Sequence, residues 1–208
     1  MAISTYTELQ DAVSNWLDRS DLSDRIPEFI TLAEAQMNRM LRIRLMEGRY
    51  TASTVKGQRN YALPTDYRQM RALRINQDPI RVLQYLSPQN MDSVWAGSYT
   101  GTPTAYTIVA NDIRLGPSPD SVLELDIDYY RAVSPLSGTT ATTTMLTQNP
   151  DIYLYGALMA AEPFLMNDER LAVWGALFDK AVRNLESQDA RDRHSGSALQ
   201  IRNLSLKP

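Results

Sequence analysis

Apolar positions recur at helical spacing at both ends of this chain and give way to short alternating runs between them, so the pattern predicts helices, then strands, then helices. The densest stretch runs from Asn149 to Ala190. Pro150 sits where a first helical turn tolerates a missing N–H, with Asn149 before it as a cap. Leu154, Leu158, Ala161 and Leu165 share one side, widened by Tyr155 and Met159. After Pro163, Asn167 and Asp168 can recap the chain, and Leu171, Trp174, Leu177, Phe178, Ala181 and Leu185 trace a second stripe. Such a stripe must be buried against something. Its partner is the other long stripe, near the N-terminus. There Tyr6, Leu9, Ala12, Val13, Trp16 and Leu17 follow a Thr5/Glu8 capping box. Past the polar break Asp18 to Asp24, Pro27 opens a second helix carrying Ile26, Phe29, Ile30, Ala33, Met37, Met40 and Leu41, with Gly48 as its stop. The two ends should meet in one bundle and enclose the middle.

From Arg49 the pattern changes to short segments of β-branched and aromatic residues punctuated by Gly, Pro and Asn. Arg49 to Val55 and Arg59 to Leu63 read as strands around Lys56-Gly57-Gln58. Pro64 to Asp66 forms a turn, followed to Ile75 by a helical turn and then a strand. Pro79 to Leu86 is a further strand, and Ser87-Pro88 opens a short helix to Trp95. Beyond the Gly97 to Pro103 loop, Tyr106, Ile108 and Ala110 precede an Asn111-Asp112 hairpin turn into Ile113 and Leu115. The clearest strand puts Leu123, Leu125, Ile127 and Tyr129 on one face and Glu124, Asp126 and Asp128 on the other, the mark of a half-buried antiparallel strand. Ser134 to Gln148 is Ser/Thr-rich and reads as a flexible loop. The expected fold class is α+β, a helical bundle (residues 1–48 plus 149–190) with an inserted antiparallel β sub-domain (49–148) and an extended C-terminal tail (191–208).

Composition narrows the chemistry. The 208 residues include no cysteine and carry a net charge of −3. Disulfides and thiolate metal sites are excluded, and the charge argues against a protein that coats nucleic acid through overall basicity. Met1 to Tyr6 shows no secretory pattern and no segment is long and apolar enough to span a bilayer, so synthesis in the cytoplasm with no membrane contact is expected. His194, the one histidine, lies in a polar segment, Arg191 to Gly196, where a catalytic group would lack a rigid scaffold. The Glu124, Asp126 and Asp128 row could ligate a cation or work as paired acids in a hydrolase. Alternatively it is the solvent face of a strand that resists edge pairing. Gly97 to Gly101 lacks the lysine and setting of a phosphate loop. Trp16, Trp95 and Trp174 read as core or subunit-contact residues, Trp174 as core first. Neither a catalytic residue nor a metal or cofactor site is expected.

One ordered series of motifs resembles the head-to-tail adaptor (connector, or head-completion) proteins of tailed bacteriophages. It comprises Tyr61-Ala62-Leu63-Pro64-Thr65-Asp66, then Gly101-Thr102-Pro103-Thr104-Ala105-Tyr106-Thr107-Ile108, then Ile113-Arg114-Leu115-Gly116-Pro117-Ser118-Pro119-Asp120. Tyr129-Tyr130 before Leu136 and Pro150-Asp151-Ile152-Tyr153-Leu154-Tyr155-Gly156-Ala157-Leu158, with Trp174 downstream, complete it. The resemblance implies a helical bundle with a β-rich insertion and a non-enzymatic virion protein at the neck, assembled in the host cytoplasm. It also implies a self-assembled ring, typically dodecameric, between the portal protein and a tail (nozzle or tail-completion) protein. Double-stranded DNA would pass through its lumen without sequence-specific binding. In such proteins the C-terminal segment reaches toward the portal, which makes Arg191, Arg193, Leu199, Ile201, Arg202, Leu204 and Leu206 portal-docking candidates.

The basic clusters Arg39, Arg42, Arg44 and Arg49, and Arg68, Arg71 and Arg74, allow two readings. Cations near the end of a helix complement its dipole, which alone accounts for the first group. They could equally contact a neighbouring subunit, the portal or DNA in a ring, and closed rings need two different complementary patches per subunit. The spaced aliphatic residues of the tail could fray, pack on their own domain or dock on a partner. A different class of function is a tail or host-recognition module whose β insertion binds carbohydrate or protein through Tyr99, Tyr106, Tyr129 and Tyr130.

Overall fold

The computed structural model describes residues 3–95, 97, 99–165 and 168–193. The chain forms two compact units, Met1–Leu45 with Val133–Pro208, and Met46–Ala132. Helices at both termini flank two sheets, an α+β fold as the sequence pattern predicts.

In the first unit, α1 (Tyr6–Leu17) starts at the Thr5/Glu8 capping box. The Glu8 carboxylate accepts from the Ser4 main-chain N–H at 2.8 Å, from the Ser4 hydroxyl and from the Thr5 N–H, which hold its pKa down to about 2. α2 (Ile26–Met40), α4 (Thr144–Gln148), α5 (Pro150–Leu165) and α6 (Asp168–Arg193) follow; α3 belongs to the second unit. α5 is central, packed against α1, α2 and α6. That position explains why it is apolar nearly all round, with Ile152, Tyr153, Leu154, Ala157, Leu158 and Ala161 buried. Gly156 sets the approach of its neighbours. A Cβ there would lie 2.9 Å from the Ala33 Cβ of α2 and 3.1 Å from the Phe178 ring of α6, closer than side chains pack. From α6, Phe178, Ala181, Val182 and Leu185 are buried, whereas Leu171, Trp174 and Leu177 are only partly so.

Two expectations for this unit need correction. Ser134 to Gln148 is not loop throughout. Its start is tied to α2, where the Asn38 Oδ1 accepts from the Val133 N–H at 2.7 Å and the Glu34 carboxylate from the Leu136 N–H at 2.8 Å. Its end is α4, capped by the Thr143 hydroxyl and anchored by buried Met145 and Leu146. Nor does the second helix run to Gly48. α2 ends at Met40, and beyond it Leu41, Ile43 and Met46 are buried on alternate or near-alternate positions. Arg42 turns back to donate to the Asn38 carbonyl at 3.1 Å, satisfying a helix-end acceptor with a cation.

The second unit holds two four-stranded sheets. The first has the order β1 (Glu47–Ser53), β8 (Glu124–Arg131), β3 (Tyr67–Ile75), β4 (Arg81–Val82), all antiparallel. In the second the order is β2 (Asn60–Ala62), β7 (Asp112–Gly116), β6 (Ala105–Val109), β5 (Gln84–Tyr85), with only β5 and β6 parallel. Leu73, Ile75, Leu125 and Ile127 from one sheet and Tyr61, Tyr106, Ile113 and Leu115 from the other belong to one apolar cluster. α3 (Pro88–Val94) lies against β6 and is capped by Ser87. Gly48 is a strand residue of β1, where a Cβ would come within 3.3 Å of the Tyr129 ring.

Here too the pattern misleads in places. The run after Asp66 contains no helical turn; it is β3 throughout, entered by a turn in which the Tyr67 N–H reaches the Pro64 carbonyl. Register shifts between Tyr67 and Gln69 and between Met70 and Ala72 break its alternation, which hides the strand from a period-two reading. The β6–β7 hairpin turns at Ala110-Asn111, one residue before the expected Asn111-Asp112, and Ala110 takes the left-handed conformation (φ 54°). The buried pair Tyr106/Leu115 and the pairing of partly buried Ile108 with buried Ile113 set that register, and core packing outweighs local turn preference.

Candidate functional site

Because β8 lies between β1 and β3, its charged face is the centre of a sheet surface and not an edge, which corrects the edge-protection reading of the acidic row. Strand alternation places Glu124, Asp126 and Asp128 on that face together with Glu47, Arg49, Thr51 and Arg74. Arg49 Nε donates to Asp128 Oδ1 at 3.0 Å, Arg74 pairs with the other Asp128 oxygen, and Arg71 pairs with Glu47. The bond to Asp128 raises the Arg49 pKa further. Three of the basic candidates are thus engaged within their own sheet. Among the described residues no group of His, Cys, Asp or Glu is arranged to hold a metal. What this surface offers is a ladder of alternating charge with exposed guanidinium edges. The Asp128 side chain is 23% exposed and bonds two arginines through its two oxygens, so Asp128→Asn, which turns one of these acceptors into a donor, is expected to cost about 1–2 kcal/mol in urea unfolding.

The helical unit carries a second charged cluster. Asp189 on α6 accepts from Arg44 Nε at 3.0 Å, from the Arg44 main-chain N–H at 3.1 Å and from Arg193 Nε at 2.7 Å. Burial opposes ionisation of Asp189, but Arg193 and Arg44 outweigh it and hold the carboxyl below the ordinary range. Arg44 also reaches Asp192 at 2.9 Å. Arg44, Asp189 and Asp192 line an open groove of about 650 Å³ together with Ile43 and Leu185. Arg191 and Arg193 belong to the last turn of α6, where Arg191 donates to the Ser187 carbonyl, so the extended tail does not begin at residue 191. His194, Leu199, Ile201, Arg202, Leu204 and Leu206 lie outside the described residues, as does Asn167. Arg39 on α2 and Arg68 on β3 are exposed.

Aromatic placement separates two expectations. Trp174 is not a core residue. Its ring lies 5.6 Å from that of Trp16, which is 48% exposed, and 6.4 Å from Tyr155, forming a partly exposed cluster on the helical unit. The four tyrosines considered for ligand binding do not form one exposed platform: Tyr106 and Tyr129 are buried, while Tyr99 is 61% exposed. Tyr129 donates to Asp66 at 2.8 Å, and burial followed by that carboxylate pushes its pKa up to about 12.

Sequence reasoning missed two buried carboxyl groups. Glu162 on α5 accepts from the Trp174 indole N–H at 2.8 Å, and Glu34 on α2 accepts from Leu136. The available signal was a carboxylate set among residues of an apolar helix face.

The motif series is tested by comparison with known families. The model described as SU10 adaptor protein matches residues 4–202, a span that includes every helix and strand described above. The chain belongs to the SU10 adaptor protein family. The resemblance read from the motifs therefore holds, and the adaptor is a bacteriophage protein and a component of the virion. No curated protein matches the chain. Among the described residues no helix of the adaptor is long and apolar enough to cross a membrane.

Proposed function

We propose that the adaptor is a non-enzymatic connector at the virion neck, a ring of identical subunits with the portal protein on one side and a tail (nozzle or tail-completion) protein on the other. The observation that carries this reading is the family match across residues 4–202. The mechanism is geometric. Each subunit contributes a wedge, the ring holds the genome behind it before ejection, and its open lumen lets double-stranded DNA through. A net charge of −3 suits that role, because phosphate contacts accumulate steeply and a strongly basic lumen would retain the DNA it has to release. With Arg44, Arg49, Arg71 and Arg74 engaged in intramolecular pairs, exposed Arg39 and Arg68 are the basic candidates for contacts with a neighbour or with passing DNA. The helical bundle and the β insertion serve as the two parts of the wedge, and the C-terminal segment with Leu199, Ile201, Arg202, Leu204 and Leu206 docks on the portal.

The test is assembly with purified portal protein, followed by electron microscopy and sedimentation. A ring-sized complex is expected, and a chain ending after Arg193 should fail to join it. Ending there keeps the Arg193–Asp189 pair, so the helical unit remains intact. Equal portal binding by the truncated and full chains would reject the docking role of the tail.

A further inference from the structure

The sheet edges of the second unit differ in kind. β2 offers three residues and β4 and β5 two each, whereas β1 presents seven, Glu47–Ser53, in one unbroken register with β8. The ladder fixes which main-chain groups of β1 face outward. Thr54 donates to the Leu123 carbonyl at 2.8 Å, so Ala52 and Tyr50, of the same parity, bond toward β8. The N–H and C=O groups of Arg49, Thr51 and Ser53 therefore turn away from the sheet. On the opposite edge, Leu83 donates to the Leu73 carbonyl at 2.9 Å, so Arg81 bonds toward β3 while Val82 turns its main-chain groups outward, as continued alternation implies for Ile80 just before the strand. β1 has no proline, no lysine and no bulge and is well above the minimum length, and its two charged side chains, Glu47 and Arg49, are paired within the sheet with Arg71 and Asp128. Ile80 and Val82 are 64% and 65% exposed.

The occupant follows from strand direction. β1, β8, β3 and β4 alternate, so β4 runs opposite to β1. A second copy rotated so that its β4 lies beside β1 meets it antiparallel, and the alternation continues across the boundary. Contact between two different edges is heterologous, the kind that closes into a ring, whereas β1 against β1 would give only a two-fold pair. We infer that β1 of one adaptor subunit pairs with the Ile80–Val82 edge of the next, extending the charged sheet from subunit to subunit. This rests on the ring reading above and specifies its subunit contact. With Thr51 opposite Val82, Ser53 faces Ile80, and the outward main-chain groups of all four residues are satisfied. Thr51 and Val82 then form a β-branched pair on the charged face. Arg81 falls on the face of Tyr50, which is 45% exposed, and its guanidinium can cover that ring.

Because the chain has no cysteine, single-cysteine variants test the contact. Chains carrying Thr51→Cys are mixed with chains carrying Val82→Cys, or Ile80→Cys for the adjacent register, assembled on portal protein and mildly oxidised. Facing residues of an antiparallel pair lie about 5.5 Å apart at Cα, within disulfide reach. A mixed disulfide dimer from one of the two combinations is the expected result. Efficient dimers of Thr51→Cys alone would mean β1 against β1 and overturn the inference. A ring visible by microscopy that yields neither mixed dimer also overturns it while leaving the connector reading intact; absence of any ring removes both. As a second variant, Thr51→Pro is tolerated on an outward-facing edge position. It should leave the melting temperature of the free chain unchanged and lower ring yield at least tenfold, and an unchanged yield would sink the pairing.

Discussion

Replacing Phe178 by alanine is expected to destabilise the helical unit by about 3–5 kcal/mol, the range for a fully buried aromatic truncated in a core. Phe178 is 0% exposed, and its ring packs where α5 carries Gly156 and so has no side chain of its own. The cost should fall toward the upper end, because nothing on α5 at that level can move in to fill the cavity. Ala33, the other neighbour of Gly156, is a methyl group on a packed helix and cannot extend. Phe178→Leu keeps most of the volume and should cost distinctly less. The measurement is urea unfolding followed by tryptophan emission, since Trp16 and Trp174 both report on this unit. A loss below about 1 kcal/mol for the alanine variant would mean that α6 does not dock on α5 through Phe178.

How much of this was legible in the sequence depends on whether one face of an element dominates its burial. β8 was readable because Leu125, Ile127 and Tyr129 enter a core while Glu124, Asp126 and Asp128 share the opposite face, where Asp128 pairs with Arg49 and Arg74, so chemistry alternates as strictly as geometry. The N-terminal helices α1 and α2 were readable for the same reason, and the Thr5/Glu8 box fixed the start of α1 to the residue. β3 was not, because its two register shifts remove the alternation that marks a strand. α4 hid among threonines of low helix propensity, and only its Thr143 cap and the burial of Met145 and Leu146 make it a helix. Spacing also misjudged Trp174, which shares the stripe of Phe178 but sits nearer the surface, against Trp16 and Tyr155. The charge clusters were visible as arginine runs, whereas their partners Glu47, Asp128, Asp189 and Asp192 come from distant segments that only the fold brings near. The two buried glutamates belong to the same class: a helix pattern marks their burial but not what they bind.

Glu34→Gln is expected to stabilise the helical unit above neutral pH and to have almost no effect in acid. Glu34 is only 5% exposed, and burial pushes its pKa up to about 7, partly offset by the Leu136 N–H that it accepts. The Glu34 charge is felt by Tyr6 and Tyr153, whose own pKa values are raised chiefly by burial and further by it, and among the described residues no cation is among the causes that set the Glu34 pKa. Its pKa in the folded chain lies above that of an unfolded glutamate. The stability tied to its protonated form is therefore complete below about pH 4.5 and is lost as pH rises through about 7. A displacement of that size corresponds to about 3 kcal/mol when fully expressed, an upper bound for a side chain that keeps one strong hydrogen bond. Glutamine retains an oxygen to accept from Leu136 and carries no charge to desolvate, so the variant escapes the loss. The check is the difference in unfolding free energy between the two chains from pH 5 to pH 9, in which titrations common to both cancel. It should grow with pH in favour of glutamine and level off above pH 8. A difference that is flat, or that favours glutamate at high pH, would mean that the strap from Val133 to Leu136 offers the carboxylate a compensating partner and that its burial carries no such cost.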